Sequence, residues 1–334
     1  MKNKATPGAA IGLDVGTSRI VVASRPEQEY VFRSHLNAFV AVPHTKMTAL
    51  TLKKEGILHL VKDSEILIYG NESERFADLF HLEARRPMSG GMLNPGEPQS
   101  LDLIRHIFEA VVEDAGGAAL RVCYSVPAPP LGCESQVTYH EAVLGEMLGE
   151  LGHEARSVNE GMAVIYSELE DSNYTGIGIS CGGGLCNVAL AYLSAPLFSF
   201  SVPKAGDYVD SSAATVTNEV ATRIRIVKET SFGFNGHYAD KVQQALSIYY
   251  QEMIHALIEG LHKAFSDTRN VPKIGRPVPI VLSGGSVLAG GFRERFEKEL
   301  REKALPVQIS EVRLAAEPLN TTAKGALVAA LTEM

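Results

Sequence analysis

Ile11-Gly12-Leu13-Asp14-Val15-Gly16-Thr17-Ser18 and, far downstream, Gly176-Ile177-Gly178-Ile179-Ser180-Cys181-Gly182-Gly183-Gly184 decide the reading of this chain. In the first stretch the apolar run from Ala9 to Leu13 meets a short polar turn, and a second apolar run, Ile20 to Ala23, follows. That pattern is strand, tight turn, strand. The second stretch repeats it, with Leu185 to Leu193 as the returning strand. Two glycine hairpins, each early in its half of the chain, indicate a duplicated architecture with two lobes facing across a cleft.

A third glycine turn differs. Pro279-Ile280-Val281-Leu282 reads as a buried strand, Ser283-Gly284-Gly285-Ser286 follows, and Phe292, Phe296 and Leu300 then recur at helical spacing. Strand, glycine turn and helix together expose backbone N–H groups to a ligand. Between these turns the periodicity predicts helices over Leu101–Val112, Val137–Leu151, Val158–Leu169 and 241–265, and a strand over 121–127. Asn173-Tyr174 and the proline-rich segment from Asn270 to Pro279 read as connections.

Composition sets the limits. The 334 residues suggest two domains, and 45% hydrophobic residues suffice for two cores. The net charge of -8 leaves no excess of cations for neutralising a nucleic-acid backbone, so no direct nucleic-acid partner is expected. Cys123, Cys133, Cys181 and Cys186 form no Cys-x-x-Cys pair, which points to reduced thiols rather than a zinc site. No secretory signal and no run of about 18 apolar residues are present, so the expectation is a soluble cytoplasmic protein with no evident membrane contact.

The turns suit a polyphosphate. Without Cβ atoms, glycine backbone approaches closely and offers converging amides. The G-x-x-x-x-G-K-[ST] loop is absent, which leaves opposed hairpins as the alternative route. At the end of the first strand, the Asp14 carboxylate is a candidate to hold a hydrated magnesium ion. Gly16, Thr17 and Ser18 offer amides and hydroxyls to phosphate oxygens, as do the amides of Gly182, Gly183 and Gly184. Gly284, Gly285 and Ser286 would accommodate the nucleoside or its phosphates. Taken singly, each turn also reads as an ordinary hairpin or linker.

Taken in order, these segments resemble the actin, sugar-kinase and heat-shock ATPase superfamily, and within it the MreB and MamK group of bacterial actins. Arg86-Pro87-Met88-Ser89-Gly90-Gly91-Met92, Lys204-Ala205-Gly206-Asp207, Ala221-Thr222-Arg223-Ile224-Arg225-Ile226 and Ala323-Lys324-Gly325-Ala326 carry the resemblance along nearly the whole chain. It implies a two-lobed α/β fold, with duplicated ribonuclease H-like domains around a nucleotide cleft. Domain I would span 1–160 with 312–334 and carry a small insertion at about 31–81. Domain II would span 161–311, with a small subdomain at about 207–245. It further implies ATP with Mg²⁺ as ligand, Glu160 orienting the attacking water, Gly206 in the nucleotide site, and Arg225 and Lys228 as contacts on the adenine side. Self-association into filaments serving cell shape, organelle positioning or DNA segregation is the implied function.

Two departures qualify that picture. The group usually has Asp where Ser180 stands and Thr where Leu185 stands, so binding could persist while hydrolysis slows. A low-turnover nucleotide-binding scaffold is therefore the alternative. Thr222 stands where a Glu is usual, and the segment after Asp207 is short, which shrinks one small subdomain. A small-molecule kinase on the same fold would need a further Asp-centred motif, and none is found.

Overall fold

The computed structural model describes residues 9–114, 120–130, 136–234, 236–238, 240–267, 274–303 and 305–332. Cys133 lies outside them; Cys123, Cys181 and Cys186 are buried, and none of the three forms a disulfide. Among the described residues no helix is long and apolar enough to cross a membrane.

The chain opens with three antiparallel strands, β1 (Ala10–Val15), β2 (Arg19–Ser24) and β3 (Val31–Leu36). A small sheet follows, built from β4 (Phe39–Pro43), β5 (His59–Lys62) and β6 (Glu65–Tyr69) with helices α1 (Lys46–Lys54) and α2 (Ser73–Phe80). After the short hairpin of β7 (Met88–Ser89) and β8 (Met92–Leu93) come α3 (Ser100–Asp114), β9 (Arg121–Val126), α4 (Gln136–Glu150), β10 (Glu154–Asn159) and α5 (Glu160–Glu168). Strands β9 and β10 add in parallel, giving the order β10-β9-β1-β2-β3.

The second half repeats the plan. Strands β11 (Gly176–Cys181), β12 (Cys186–Tyr192) and β13 (Ala195–Val202) form an antiparallel meander. Helices α6 (Gly206–Thr217), α7 (Ala221–Thr230) and α8 (Lys241–Asp267) lead to β14 (Val278–Ser283), α9 (Phe292–Glu302) and β15 (Ile309–Leu314). The order β13-β12-β11-β14-β15 has the same sequence of steps as the first sheet, three antiparallel strands and two parallel ones. This shared order is the duplication that the two hairpins announced. Between Asp207 and α8 the described residues form helices only, so the second half has no counterpart of the small sheet there.

Local chemistry moves two expected boundaries. Val158 belongs to β10, paired with Ser125, and not to a helix starting at 158. The Asn159 side chain accepts from the amides of Gly161 (2.9 Å) and Met162 (3.3 Å), so it caps α5 and starts the helix at Glu160. Pro279 lies inside β14, where the register with β15 shifts; a residue without an N–H is tolerated at such an irregularity.

Each half has its own core. Leu13, Ile107 and Phe108 are among the buried residues of the first, and Phe200, Tyr250, Phe292 and Phe296 among those of the second. The final helix, α10 (Thr321–Thr332), joins them. A Cβ on Gly12 of β1 would overlap the backbone of Ala323 and Leu327, and one on Gly325 would overlap the Ala163 carbonyl of α5. Glycine at these two points lets α10 lie directly on a strand of one half and a helix of the other.

Candidate functional site

All fourteen residues singled out from the sequence line one cavity of about 430 Å³ between the two sheets. Asp14, Gly16, Thr17 and Ser18 enter from the β1–β2 turn, Glu160 from the start of α5, and Gly182, Gly183 and Gly184 from the β11–β12 turn. Gly206 opens α6, Arg225 and Lys228 lie on α7, and Gly284, Gly285 and Ser286 follow β14.

The first turn is held by its own backbone and by a neighbour. The Gly16 amide donates to Arg19 O (3.0 Å), and the Asn37 side chain donates to Gly16 O (2.9 Å). The Thr17 hydroxyl oxygen accepts from the Gly91 amide at 3.1 Å, which leaves its O–H free to donate into the cavity. Leu185 is buried against that same loop; a Cβ on Gly91 would strike its side chain. A leucine here therefore trades a hydroxyl near the turn for apolar packing on the 90–91 segment.

The second turn is braced from behind. The Gly206 amide donates to Gly182 O (3.1 Å), and the Asp207 amide to Gly183 O (2.8 Å). The Ser286 hydroxyl also donates to Gly182 O, at 3.1 Å. The α6 N-terminus and Ser286 thus spend donors on fixing the turn. Gly284 has φ +93°, and a Cβ there would strike Cys181, so only glycine serves at that corner. Helix α9 starts eight residues later, at Phe292, and the amides near Gly285 belong to a single 3₁₀ turn rather than to the end of a long helix.

Two carboxylates form the floor. Asp14 Oδ1 accepts from the Ser125 hydroxyl at 2.8 Å. Burial pushes its carboxyl up to about 6, and the Ser125 bond pulls the other way. Glu160 Oε2 accepts from the Ser180 hydroxyl at 3.0 Å. Burial, then the charge of Asp14, pushes Glu160 up to about 8, offset in part by Ser180 and Asn187. Asn187 stands directly opposite Ser180 in the hairpin, and its Oδ1 accepts from the Ala128 amide of the other half at 2.7 Å.

Charged pairs span the cavity mouth. Arg225 Nη2 donates to Glu74 Oε1 of α2 at 2.6 Å, and Arg86 Nη1 to Asp207 Oδ1 at 2.9 Å. Arg225 therefore lines the cavity while engaged with the opposite half. Lys228 Nζ donates to Asp210 Oδ2 (2.7 Å) and Gly206 O (3.3 Å), deep in the wall. Thr222 is exposed and lies outside the lining.

Two features of the cavity fit a nucleotide with a divalent cation. Glycine backbone from both halves meets in one pocket, and the charge of Asp14 raises the proton affinity of Glu160, a repulsion that a cation relieves. Among the described residues no group of three or more His, Cys, Asp or Glu is placed to hold a metal by itself. Such an ion would have to draw most of its ligands from phosphate and water.

Sequence reasoning missed Ser125, Asn187 and Asp210 as site residues, and quoted Arg86 and Asp207 only for their resemblance. Ser125 and Asn187 sit inside apolar strands, where a lone polar residue signals nothing until its partner 111 or 59 positions away is known.

The family model described as Volactin matches residues 9–330. No curated protein matches the sequence significantly. Among solved structures, the chain is similar to the MamK double helical filament at 21% identity, with 97% of this chain and 99% of that chain covered and a TM-score of 0.74. MreB 5 of Spiroplasma citri bound to AMPPNP gives 14% identity, coverage of 97% and 96%, and a TM-score of 0.67. The ethanolamine utilization protein EutJ from Carboxydothermus hydrogenoformans gives 15% identity, coverage of 98% and 92%, and a TM-score of 0.55. The architecture is the two-lobed actin-like ATPase fold.

Proposed function

The chain belongs to the Volactin family, and on that premise we propose that it is an actin-like protein that binds ATP between its two halves and assembles into filaments. The observation that carries this reading is the meeting of both glycine turns with Asp14 and Glu160 in one cavity. The amides of Thr17, Ser18, Gly183 and Gly184 and the hydroxyls of Thr17 and Ser18 hold the phosphates from opposite sides, while the Gly16 and Gly182 amides close their own turns on Arg19 O and Leu185 O. Arg225, Lys228 and the Gly284–Ser286 segment face the nucleoside. Asp14 holds the hydration shell of the magnesium ion that accompanies ATP. When bound, that ion neutralises phosphate charge.

Glu160 is the base that orients a water toward the terminal phosphate. It does so only when ionised. Ser180 holds its carboxylate, and Asn187, opposite Ser180 in the hairpin, is tied to the Ala128 backbone of the other half. Occupancy of the cavity sets the angle between the halves, and that angle sets the contacts between successive copies. The MamK filament and the AMPPNP complex of MreB 5, on the same fold, support this reading.

Ser180 favours a second reading, a nucleotide-binding scaffold with little turnover. A neutral hydroxyl replaces a carboxylate beside Glu160, and Glu160 holds its proton up to about pH 8. Calorimetric titration with ATP and Mg²⁺, followed by sedimentation and electron microscopy with ATP and with ADP, tests the proposal. Saturable binding and nucleotide-dependent filaments are expected. No heat and no thermal stabilisation would overturn both readings; binding with background phosphate release would select the scaffold.

A further inference from the structure

The cavity lining includes Asp207 but not Arg86, yet the Arg86 guanidinium reaches that carboxylate from the first half, Nη1 donating to Oδ1 at 2.9 Å. Asp207 stands against the second phosphate turn. Its amide donates to Gly183 O at 2.8 Å, and its two carboxylate oxygens lie 3.3 and 3.5 Å from the point a Cβ on Gly183 would occupy. The Ser18 hydroxyl of the first turn lies 2.5 Å from the same point. A phosphate gripped by the Gly183 amide and the Ser18 hydroxyl is therefore closer to Asp207 than the screening length of about 10 Å at 0.1 M salt.

That carboxylate has the sign that repels the ligand. It has a structural reason to be there, since an acid in the first turn of α6 offsets the helix dipole. The charge that suits the helix then faces the phosphates. Other acids of the lining are answered in place: Lys228 holds Asp210 at 2.7 Å, and Glu229 is exposed to solvent. For Asp207 the counter-charge comes from the opposite half, on the segment whose Gly91 amide also holds Thr17 of the first turn. Nothing in the proposed phosphate grip or hydrolysis uses Arg86.

We propose that Arg86 covers Asp207: its guanidinium cancels the carboxylate beside the second turn, so that the affinity of the cavity for a polyphosphate is set by a residue outside the lining and in the other half. This rests on the nucleotide reading above and adds the charge balance that controls it. Arg86 is a positioning residue that acts through Asp207.

The test is calorimetric titration of the full chain with ATP and Mg²⁺. Arg86→Gln uncovers Asp207 and binds roughly tenfold more weakly, the size of one added like charge at this range near a protein surface. Asp207→Asn leaves the guanidinium unopposed and binds more tightly than the wild type. The double variant returns to within about threefold of the wild type. Arg86→Lys keeps the charge and most of the affinity. Both side chains keep contact with solvent, and a cooperative melt checks that each variant folds. A mere tie between the halves would move both single variants and the double in the same direction, and that result overturns the inference. So does a double variant as weak as Arg86→Gln, because Arg86 would then be touching the nucleotide itself, or an Arg86→Gln that matches the wild type. Should Arg86→Gln not fold, Asp207→Asn carries the test, and no gain in its affinity overturns the inference. Failure of the wild type to bind overturns the nucleotide reading instead.

Discussion

The Ser180 hydroxyl donates to Glu160 Oε2 at 3.0 Å, with Asn187 facing it across the hairpin. A neutral donor here lets a half-buried glutamate sit beside Asp14 without a third negative charge. Ser180→Asp reverses that balance. The variant is expected to lose about 1–3 kcal/mol without ligand, from one to two units of like-charge shift. Mg²⁺ with ATP should recover most of it, because the cation neutralises the cluster. Thermal melts with and without Mg²⁺ and ATP check this; a loss that ligand leaves untouched would show a packing defect instead.

Glu160 and Asp14 also make stability depend on pH. Their ordinary values are 4.5 and 3.8, and the folded chain raises them to about 8 and about 6. The folded state therefore binds more protons than the unfolded state between about pH 4 and 8. Stability is greatest at the low end of that window for these two groups and falls as pH rises through it. Glu160→Gln removes the larger contribution, so its melting temperature should decline less than that of the wild type between pH 5 and 8.5. Turnover runs the other way. It should climb as pH rises toward 8, since only ionised Glu160 takes a proton, and Glu160→Gln should abolish it.

The Glu74–Arg225 pair bridges elements 151 residues apart across the cavity mouth. Both side chains keep contact with solvent, so the pair adds under about 1 kcal/mol to stability. Its larger effect is on exchange. Glu74→Gln is expected to speed release of a fluorescent ATP analogue several-fold in stopped-flow displacement while shifting the melting temperature little. The charge-swapped variant Glu74→Arg with Arg225→Glu should return toward the wild-type rate; a swap no slower than the single variant would remove the pair from any gating role.

Gly325 faces the Ala163 carbonyl with no room for a side-chain carbon. Gly325→Ala must push α10 off α5, and overpacking of this kind costs about 1–3 kcal/mol. The neighbouring change Ala329→Gly opens space instead, and serves as a control that keeps the backbone contact. A cooperative melt shifted down for Gly325→Ala, at unchanged denaturant slope, is the expected result.

The parts of this molecule visible in sequence are those whose signal is local. Gly16 to Ser18, Gly182 to Gly184 and Gly284 to Ser286 announce themselves because a turn needs particular residues at adjacent positions, and the cavity gathers all of them. Val158 misled because an apolar residue beside a helical run fits either period, and only the Asn159 cap decides where the helix begins. Arg225 lines the cavity, and its guanidinium also reaches Glu74 on a distant element, a link no local pattern shows. Asp210 carried no signal at all: one acidic residue in an amphipathic helix looks solvated until Lys228, 18 positions on, is found against it. Long-range polar pairing is what single-sequence reading lacks.

The last helix, α10, rests on β1 of one sheet and on α5, which packs against β11 and β12 of the other, with a glycine at each contact. If a filled cavity rotates the halves as proposed, α10 is placed to be their axle. Rotation of the halves about so close a bearing moves the atoms beside it hardly at all. The same rotation is geared up with distance, and Glu74 and Arg225 sit on other elements, α2 and α7. Spin labels or fluorophores placed there, rather than beside the carboxylates, would give the largest mechanical signal for a filled cavity.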